Sequence, residues 1–202
     1  NGICRITSTG GFDPTFNPGL GVSGNSSSVY AISILPNGQL VIGGSFTSFN
    51  GISKNSIARL NSDGSLDNTF NLGGTGLNVS SETEIRAFAQ QPDSKLLITG
   101  NFSSFNGSNR NDILRLNNDG SLDASFSTSF TNGTIYCITL RSDGKMWIGG
   151  SLSSGILLLT STGGIDGSFV APSGFAGTIN SILPIQNNKL FVTGSFISYS
   201  GF

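Results

Sequence analysis

The sequence predicts an all-β protein, a β-propeller built from about four four-stranded antiparallel blades. Three observations favour this fold class. A unit of roughly 50 residues recurs along the whole chain, which is typical of propeller blades. Each unit alternates apolar and polar residues on either side of tight-turn sequences, as half-buried strands do. No stretch keeps the apolar period of a helix.

The first half of each unit predicts a two-stranded hairpin. In the first unit it reads "VYAISILPNGQLVIGGSF" (29–46), and it recurs without gaps at 85–102, 135–152 and 179–196. Apolar runs near 29–35 and 39–46 flank a Pro-Asn-Gly turn, which is a strong hairpin signal. Glycines end the second run, and they indicate a bulge or a close backbone approach at that point.

The second half of each unit predicts two further strands. It reads "SIARLNSDGSLDNTF" (56–70), with strands expected near 56–61 and 65–70 and an Asp-Gly turn between them. The same half recurs at 112–126, 155–169 and 2–16. The chain therefore begins with a second half and ends with a first half.

This arrangement predicts a single propeller domain over residues 1–202. Its units are 29–76, 84–133, 134–177, and a closing blade in which 178–202 is completed by 1–21. A blade shared by both termini would remove the free sheet edges of the ring. The alternative is an arc of a larger ring of about six to eight blades.

The units resemble a known family, the delta-sixty repeats, which are propeller units of large bacterial surface and secreted proteins. The resemblance covers nearly the whole chain and lies in "IGGSFTSFNG" followed by "IARLNSDGSLDNTF". The third unit departs from it, because it lacks the Phe-Asn-Gly segment and has Leu158 where the others have Arg. The resemblance implies a propeller at the cell surface and no particular reaction.

Composition excludes several classes of function. With 10 Lys and Arg against 11 Asp and Glu, the chain has no basic excess for nucleic acid. No apolar run is long enough for a membrane helix, so we expect no membrane insertion. The absence of His removes the commonest general base and most zinc and copper sites. We therefore predict no cofactor and no metal.

The ends and the cysteines add two expectations. The chain starts at Asn1 without an initiator Met or a signal peptide, which predicts a processed product or a segment of a longer chain. Cys4 and Cys137 have no metal-binding spacing, and we expect two free, buried thiols rather than a disulfide. Low charge with abundant Asn, Ser, Thr and Gly favours an extracellular or cell-surface location.

An Asp, a Phe and, in most units, an Arg recur in the second half of the unit. Their repetition predicts a structural motif, because a catalytic acid is needed only once. The carboxylate would accept backbone N–H groups in an Asx-turn, the Phe would pack between blades, and the Arg would pair with a nearby Asp. A calcium loop at Asp63, Ser65 and Asp67 would offer too few oxygens. The motif residues are Asp13, Asp67, Asp123, Asp166, Phe16, Phe70, Phe126, Phe169, Arg5, Arg59 and Arg115.

Candidate binding residues lie in and beside the loops between blades. Variable loops on a rigid scaffold commonly carry binding sites. Glu82 and Glu84, the two Glu of the chain, fall in the longest of these loops. Tyr30 and Tyr136 alternate away from the apolar face of the first strand of their units, so they are expected to line a surface or a channel.

These features predict a non-catalytic binding module rather than an enzyme. The predicted module is an adhesin-like or fibre-tip propeller that recognises a glycan or a protein on a bacterial cell surface through its inter-blade loops. An alternative is a structural or assembly unit of a larger surface or tail fibre, within a longer chain or a homo-oligomer. A minor alternative is an enzyme acting on polysaccharide, for which Asp93, Asp112 and Asp143 are the acids outside the recurring motif.

Overall fold

The computed structural model describes residues 2–24, 27–78, 80, 82–129, 133–171 and 174–200. This part of the chain contains β-strands and no α-helix, so the protein is all-β. Accordingly, no helix within these ranges is long and apolar enough to cross a membrane.

The strands follow the repeat of the sequence. They are β1 (Val22–Ser23), β2 (Ser28–Ile34), β3 (Leu40–Ser45), β4 (Ser48–Phe49), β5 (Ile52–Ser53), β6 (Ile57–Leu60), β7 (Glu84–Gln90), β8 (Leu96–Asn101), β9 (Ser104–Phe105), β10 (Ser108–Asn109), β11 (Ile113–Leu116), β12 (Ile135–Leu140), β13 (Met146–Gly150), β14 (Ile156–Leu159), β15 (Phe175–Ile185) and β16 (Lys189–Tyr199).

Three antiparallel sheets have the same order of strands: an inner strand that contacts the equivalent strand of the next sheet, a middle strand, and an outer strand. We call them the first blade (β2, β3, β6), the second blade (β7, β8, β11) and the third blade (β12, β13, β14). The predicted fourth strand is reduced to one isolated bridge, such as Leu60 with Leu66 in the first blade. The pairing ends there because the side chain of the next residue, Asp67, accepts a backbone N–H and forms a turn. The expectation of four-stranded blades is therefore corrected to three strands and a bridge.

The predicted closing blade is not confirmed. The last sheet contains β15 and β16 alone, which we call the C-terminal pair. Residues 2–16, the N-terminal segment, lie against the first blade instead of β16. Arg5 Nη1 donates to the Ser62 carbonyl at 2.8 Å, and the Asn17 N–H donates to the Asp63 carbonyl at 2.7 Å. These bonds hold the segment on the first blade, and no sheet closes among the described strands.

A small hairpin between the middle and outer strands was not anticipated from the sequence. β4 and β5 pair across Asn50 and Gly51, whose φ angles are 49° and 76°. Two consecutive left-handed residues form the tight turn that Asn-Gly favours. β9 and β10 repeat the hairpin in the second blade, and the third blade lacks the Phe-Asn-Gly segment that would form it.

The apolar core lies between successive blades rather than within any one of them. Val41 and Ile57 of the first blade pack with Ile98 and Leu114 of the second. Further clusters join the second blade to the third, the third blade to the C-terminal pair, and the N-terminal segment to the first blade. A single blade cannot bury both of its faces, so stacking supplies the stability.

Stacking places the inner strands side by side. β2 contacts β7, β7 contacts β12, and β12 contacts β15. Residues at the same position of successive units therefore become neighbours, although about 50 residues separate them in the sequence.

Candidate functional site

Each inner strand carries a β-bulge at the same position. The pairing register between inner and middle strand skips one residue in each of the three blades and in the C-terminal pair. A bulge bends its strand and turns the extra side chain away from the regular alternation. The bulged residues are Tyr30, Arg86, Tyr136 and Asn180.

A glycine in the middle strand makes room for each bulge. A Cβ on Gly100 would lie 2.0 Å from the carbonyl oxygen of Glu84, far inside contact distance. The same 2.0 Å separates the equivalent pairs Gly44 and Ser28, Gly150 and Thr134, and Gly194 and Thr178. The recurring glycines therefore lie where the backbone of the bulged inner strand comes closest to that of the middle strand.

Three of the bulged residues, Tyr30, Arg86 and Tyr136, lie beside one another, and Glu84 contacts Arg86. We call these four side chains the inner-strand cluster. The guanidinium carbon of Arg86 lies 4.8 Å from the ring centre of Tyr30 and 5.5 Å from that of Tyr136. Arg86 Nε donates to Glu84 Oε1 at 2.6 Å, and its Nη2 contacts the same oxygen. The two rings and the carboxylate together fix the position of the guanidinium.

The inner-strand cluster is partly open to solvent. Tyr30 is 47% exposed and the side chain of Arg86 is 36% exposed, whereas Tyr136 is half-buried and the side chain of Glu84 is 16% exposed. The ion pair neutralises the cluster, while the phenol groups and the guanidinium still offer hydrogen-bond donors. Aromatic faces beside such groups suit a ligand with apolar CH surfaces and many hydroxyls, or a polar segment of protein.

The structure brings together three of the four predicted binding residues. Tyr30, Glu84 and Tyr136 are in the cluster, whereas Glu82 is exposed in the preceding turn, and no contact among the described residues joins it to them. Arg86, at the centre, was not predicted. It aligns with Tyr30 and Tyr136 in the repeat, and this shared position is the signal by which the sequence could have identified it.

The recurring Asp residues accept bonds within their own turn. Asp67 Oδ1 accepts the Thr69 N–H at 2.9 Å, and its Oδ2 accepts Arg59 Nε at 2.8 Å. Asp13 with Thr15 and Arg5, and Asp123 with Ser125 and Arg115, repeat this pattern at matching distances. Burial opposes ionisation of Asp67, but the bonds from Thr69 and Arg59 outweigh it and lower its pKa to about 2.

The recurring Arg residues link one unit to the next. Arg115 Nη1 donates to the Ser161 carbonyl of the following unit at 2.8 Å, and its guanidinium carbon lies 5.0 Å from the ring centre of Phe126. Arg5 lies over Phe16 and Arg59 over Phe70 in the same way. In the third unit, where Leu158 replaces the Arg, Lys145 pairs with Asp166, and Phe169 packs edge-on against Trp147 at 4.6 Å.

The three acids outside this motif occupy different environments. Asp93 and Asp143 lie in exposed hairpin turns, and Asp143 pairs with Arg141 at 3.0 Å. Asp112 is buried, with a left-handed φ of 59°, and accepts the Phe102 N–H at 3.3 Å. Burial raises the pKa of its carboxyl to about 6. No group of three or more His, Cys, Asp or Glu that could hold a metal occurs among the described residues.

Both cysteines are free, but only one is buried. Cys137 is buried, and burial raises the pKa of its thiol to about 11. Cys4 is exposed, so the expectation of two buried thiols was wrong. The equivalent residue of the first blade, Ala58, is buried in a cluster with Phe16 and Ile42. Cys4 is not covered in this way.

Two family models match parts of the sequence. A β-propeller domain of unknown function (DUF5122) matches residues 35–70 and 91–126, and a two-component regulator propeller matches residues 129–151. The fold is that of a β-propeller. These matches support a propeller family in general, and they do not distinguish the delta-sixty repeats in particular. No curated protein matches the sequence.

Solved propeller structures are similar to this one at low sequence identity. Virginiamycin B lyase from Staphylococcus aureus is 18% identical with a TM-score of 0.58, and the match covers 86% of this propeller and 51% of the lyase. A protein of unknown function from Bacteroides caccae is 14% identical with a TM-score of 0.57, over 94% of this propeller and 62% of that chain. A streptogramin B lyase is 18% identical with a TM-score of 0.56, over 82% and 47%. The chain thus spans about half the length of these lyases, and the likeness concerns the fold alone.

Proposed function

We propose that this propeller is a non-catalytic binding module whose inner-strand cluster recognises a glycan. The observation that carries the proposal is the bulge in successive inner strands, which gathers Tyr30, Arg86 and Tyr136 into one patch where Tyr30 is exposed and Tyr136 is half-buried. Bulges are over-represented where a fold re-aims side chains for function. The proposed site includes Tyr30, Glu84 and Tyr136 of the residues expected in and beside the inter-blade loops, and it lies where those loops enter the inner strands.

The chemistry of the patch supports a sugar ligand. Tyrosine rings offer a flat apolar surface with a hydrogen-bonding end, which matches the alternating CH and hydroxyl faces of a saccharide. Glu84 and Arg86 can accept from and donate to hydroxyl groups, and charged partners strengthen such bonds. We place the protein at the cell surface or outside the cell, where it would meet such glycans.

The test is binding of the labelled protein to a broad glycan array, with and without calcium. Arg86→Met should lower binding at least about tenfold, because it removes a charge-assisted bond and the group that spaces the two rings. Arg141→Met is a matched control: Arg141 also pairs with an acid two residues away, lies 5.9 Å from the ring centre of Trp147, and has a side chain that is 35% exposed. Arg141 lies at a hairpin turn instead of in the cluster, so its variant should bind normally.

Three outcomes would contradict the proposal. Silence of the wild-type protein across the array would refute glycan recognition and favour a protein ligand. Equal losses in the two Arg variants would show that the cluster has no special role. Cleavage of any bound saccharide would contradict a non-catalytic module and would favour an enzyme on this fold. An assembly unit of a larger fibre is the second candidate, and the exposed apolar residues at both ends of the chain favour it.

A further inference from the structure

One edge of the Arg86 guanidinium is engaged within the inner-strand cluster. Its Nε donates to Glu84 Oε1 at 2.6 Å, and its Nη2 contacts the same oxygen. Arg86 also lies over the rings of Tyr30 and Tyr136, whose centres are 4.8 and 5.5 Å from the guanidinium carbon. Because the cation is held from these three sides, a ligand meets an ion pair that is formed before it binds.

The loops that enter the inner strands supply no further cation. The four segments that join one unit to the next contain no Lys or Arg, and their charged residues are Glu82 and Glu84. These segments are 17–28, 71–84, 127–134 and 170–178. The cluster and its loops therefore combine one guanidinium, Arg86, with two carboxylates, and no positive charge is left over for an anionic ligand.

The cluster still offers free donors and acceptors. Glu84 Oε2 receives no bond from a described residue, and it is not among the buried side-chain atoms that lack a partner. Arg86 Nη1 and the hydroxyl groups of Tyr30 and Tyr136 likewise bond to no described residue. A saccharide hydroxyl both donates and accepts, so adjacent hydroxyls can bond to the carboxylate and to the guanidinium at once.

An anionic group would find a poorer partner in the same place. A carboxylate or a sulfate only accepts hydrogen bonds, so it cannot use Glu84 Oε2. At Arg86 it would meet a cation whose charge Glu84 neutralises, and it would lose hydration without a full counter-charge in return. Glu84 would also repel it, and repulsion of this kind is one way in which binding sites exclude an unwanted partner.

We propose that the inner-strand cluster selects neutral, hydroxyl-rich saccharides and that Glu84 is the residue that excludes acidic ones, such as uronic acids and sulfated sugars. This selectivity rests on the proposed function, because it names the class of glycan that the same site takes. Glu84 contributes in two ways: its free oxygen accepts a hydroxyl group, and its charge cancels that of Arg86.

The test compares pairs of immobilised saccharides that differ at carbon 6 alone. Glucosides are paired with glucuronides, and galactosides with galacturonides, so each pair exchanges a CH₂OH group for a carboxylate. The wild-type protein should bind the neutral member at least about tenfold more tightly in each pair that it recognises. Its binding should change little between about 0.05 and 0.5 M salt, because salt screens charges and the neutral ligand has none.

Glu84→Gln separates the charge of this residue from its geometry. The amide oxygen of Gln can still accept Arg86 Nε, so the guanidinium keeps its place while its charge is no longer cancelled. The variant should bind the acidic members at least about tenfold more tightly than the wild type does, and this gain should shrink as salt is raised. Glu82→Gln is the matched control: Glu82 is exposed in the preceding turn, no contact among the described residues joins it to the cluster, and its loss should change the preference by about twofold at most.

Other results would overturn the selectivity. Equal binding of both members by the wild type, or tighter binding of the acidic one, would show that the pair of Arg86 and Glu84 does not exclude anions. A parallel loss of both members in Glu84→Gln would show that the charge of Glu84 does not set the preference.

The selectivity and the proposed function can be told apart. In each of the results that overturn the selectivity, the wild-type protein still binds a glycan, and the proposed function stands. Silence of the wild type toward both members of every pair would refute the proposed function, and the selectivity with it. Since the comparison of the wild type needs no variant, the selectivity is tested even if Glu84→Gln does not fold.

Discussion

A substitution at Gly100 would test the close approach of the inner and middle strands at the bulge of the second blade. In Gly100→Ala, the new Cβ would lie 2.0 Å from the carbonyl oxygen of Glu84 and 3.0 Å from both the carbonyl carbon of Glu84 and the Cα of Ile85. A comfortable separation between such a carbon and an oxygen is about 3.3 Å or more. The backbone on one side must therefore move by roughly 1 Å, because the three nearest neighbours are main-chain atoms and none can rotate away.

The expected cost follows from two opposing terms. Forcing an extra carbon into a well-packed site costs about 1–3 kcal/mol, and we expect the upper end because no side chain can yield. Replacing Gly by Ala within a strand returns about 0.5–1 kcal/mol through the entropy of the unfolded chain. The net loss in the free energy of unfolding should be about 2 kcal/mol, or a fall in Tm of about 4–8 °C for a domain of this size.

Urea unfolding would measure this loss through the fluorescence of Trp147, the single Trp, which is buried in the third blade. Gly167→Ala is the control, because nothing lies within 4 Å of its new Cβ and its backbone is not left-handed. The control should stay within about 0.5 kcal/mol of wild type. If Gly100→Ala unfolded at the same urea concentration as the control, the close approach that shapes the bulge would be refuted.

Two further predictions concern buried charges. Asp112→Asn should be about 3 kcal/mol more stable than wild type at pH 7, because burial raises the pKa of the folded carboxyl to about 6, against 3.8 for an ordinary Asp in the unfolded chain. This advantage should vanish below about pH 4, where Asp112 is protonated in both the folded and the unfolded state. Urea midpoints of the variant and the wild type from about pH 3.5 to 7 would measure it. A difference in stability that did not change with pH, or that also occurred in Asp93→Asn, would contradict this explanation. Arg59→Leu should cost about 3–5 kcal/mol, since it leaves Asp67 buried without its cation, and Arg5→Leu at the exposed equivalent should cost about 1 kcal/mol or less in the same urea titration. Equal costs at the two sites would show that burial of the pair does not matter.

The local sequence predicted most of the strands because their signals are local. The alternation in 29–35 and the Pro-Asn-Gly turn required no knowledge of the rest of the chain, and β2 and β3 lie where they were expected. The fourth strand was overestimated, because the Asp67 side chain competes for the backbone N–H that a strand would need. The hairpin at Asn50 and Gly51 was missed although its Asn-Gly turn was visible in the sequence.

The sequence also placed Tyr30, Glu84 and Tyr136 among the candidates, but it could not bring them together. Their meeting around Arg86 depends on the stacking of three blades and on one extra residue in each inner strand. A bulge reverses the alternation from which a side chain's direction is predicted, so position in the strand alone was insufficient.

The order of residues was enough to show that this chain is a series of repeated antiparallel hairpins that must stack to bury their faces. Periodicity and turn chemistry act over a few residues, and the order of residues records them directly. The folded molecule alone shows that no sheet closes among the described strands and that Arg86 lies between two tyrosines. Both depend on the angle between blades, which is the sum of many packing contacts between residues far apart in the chain.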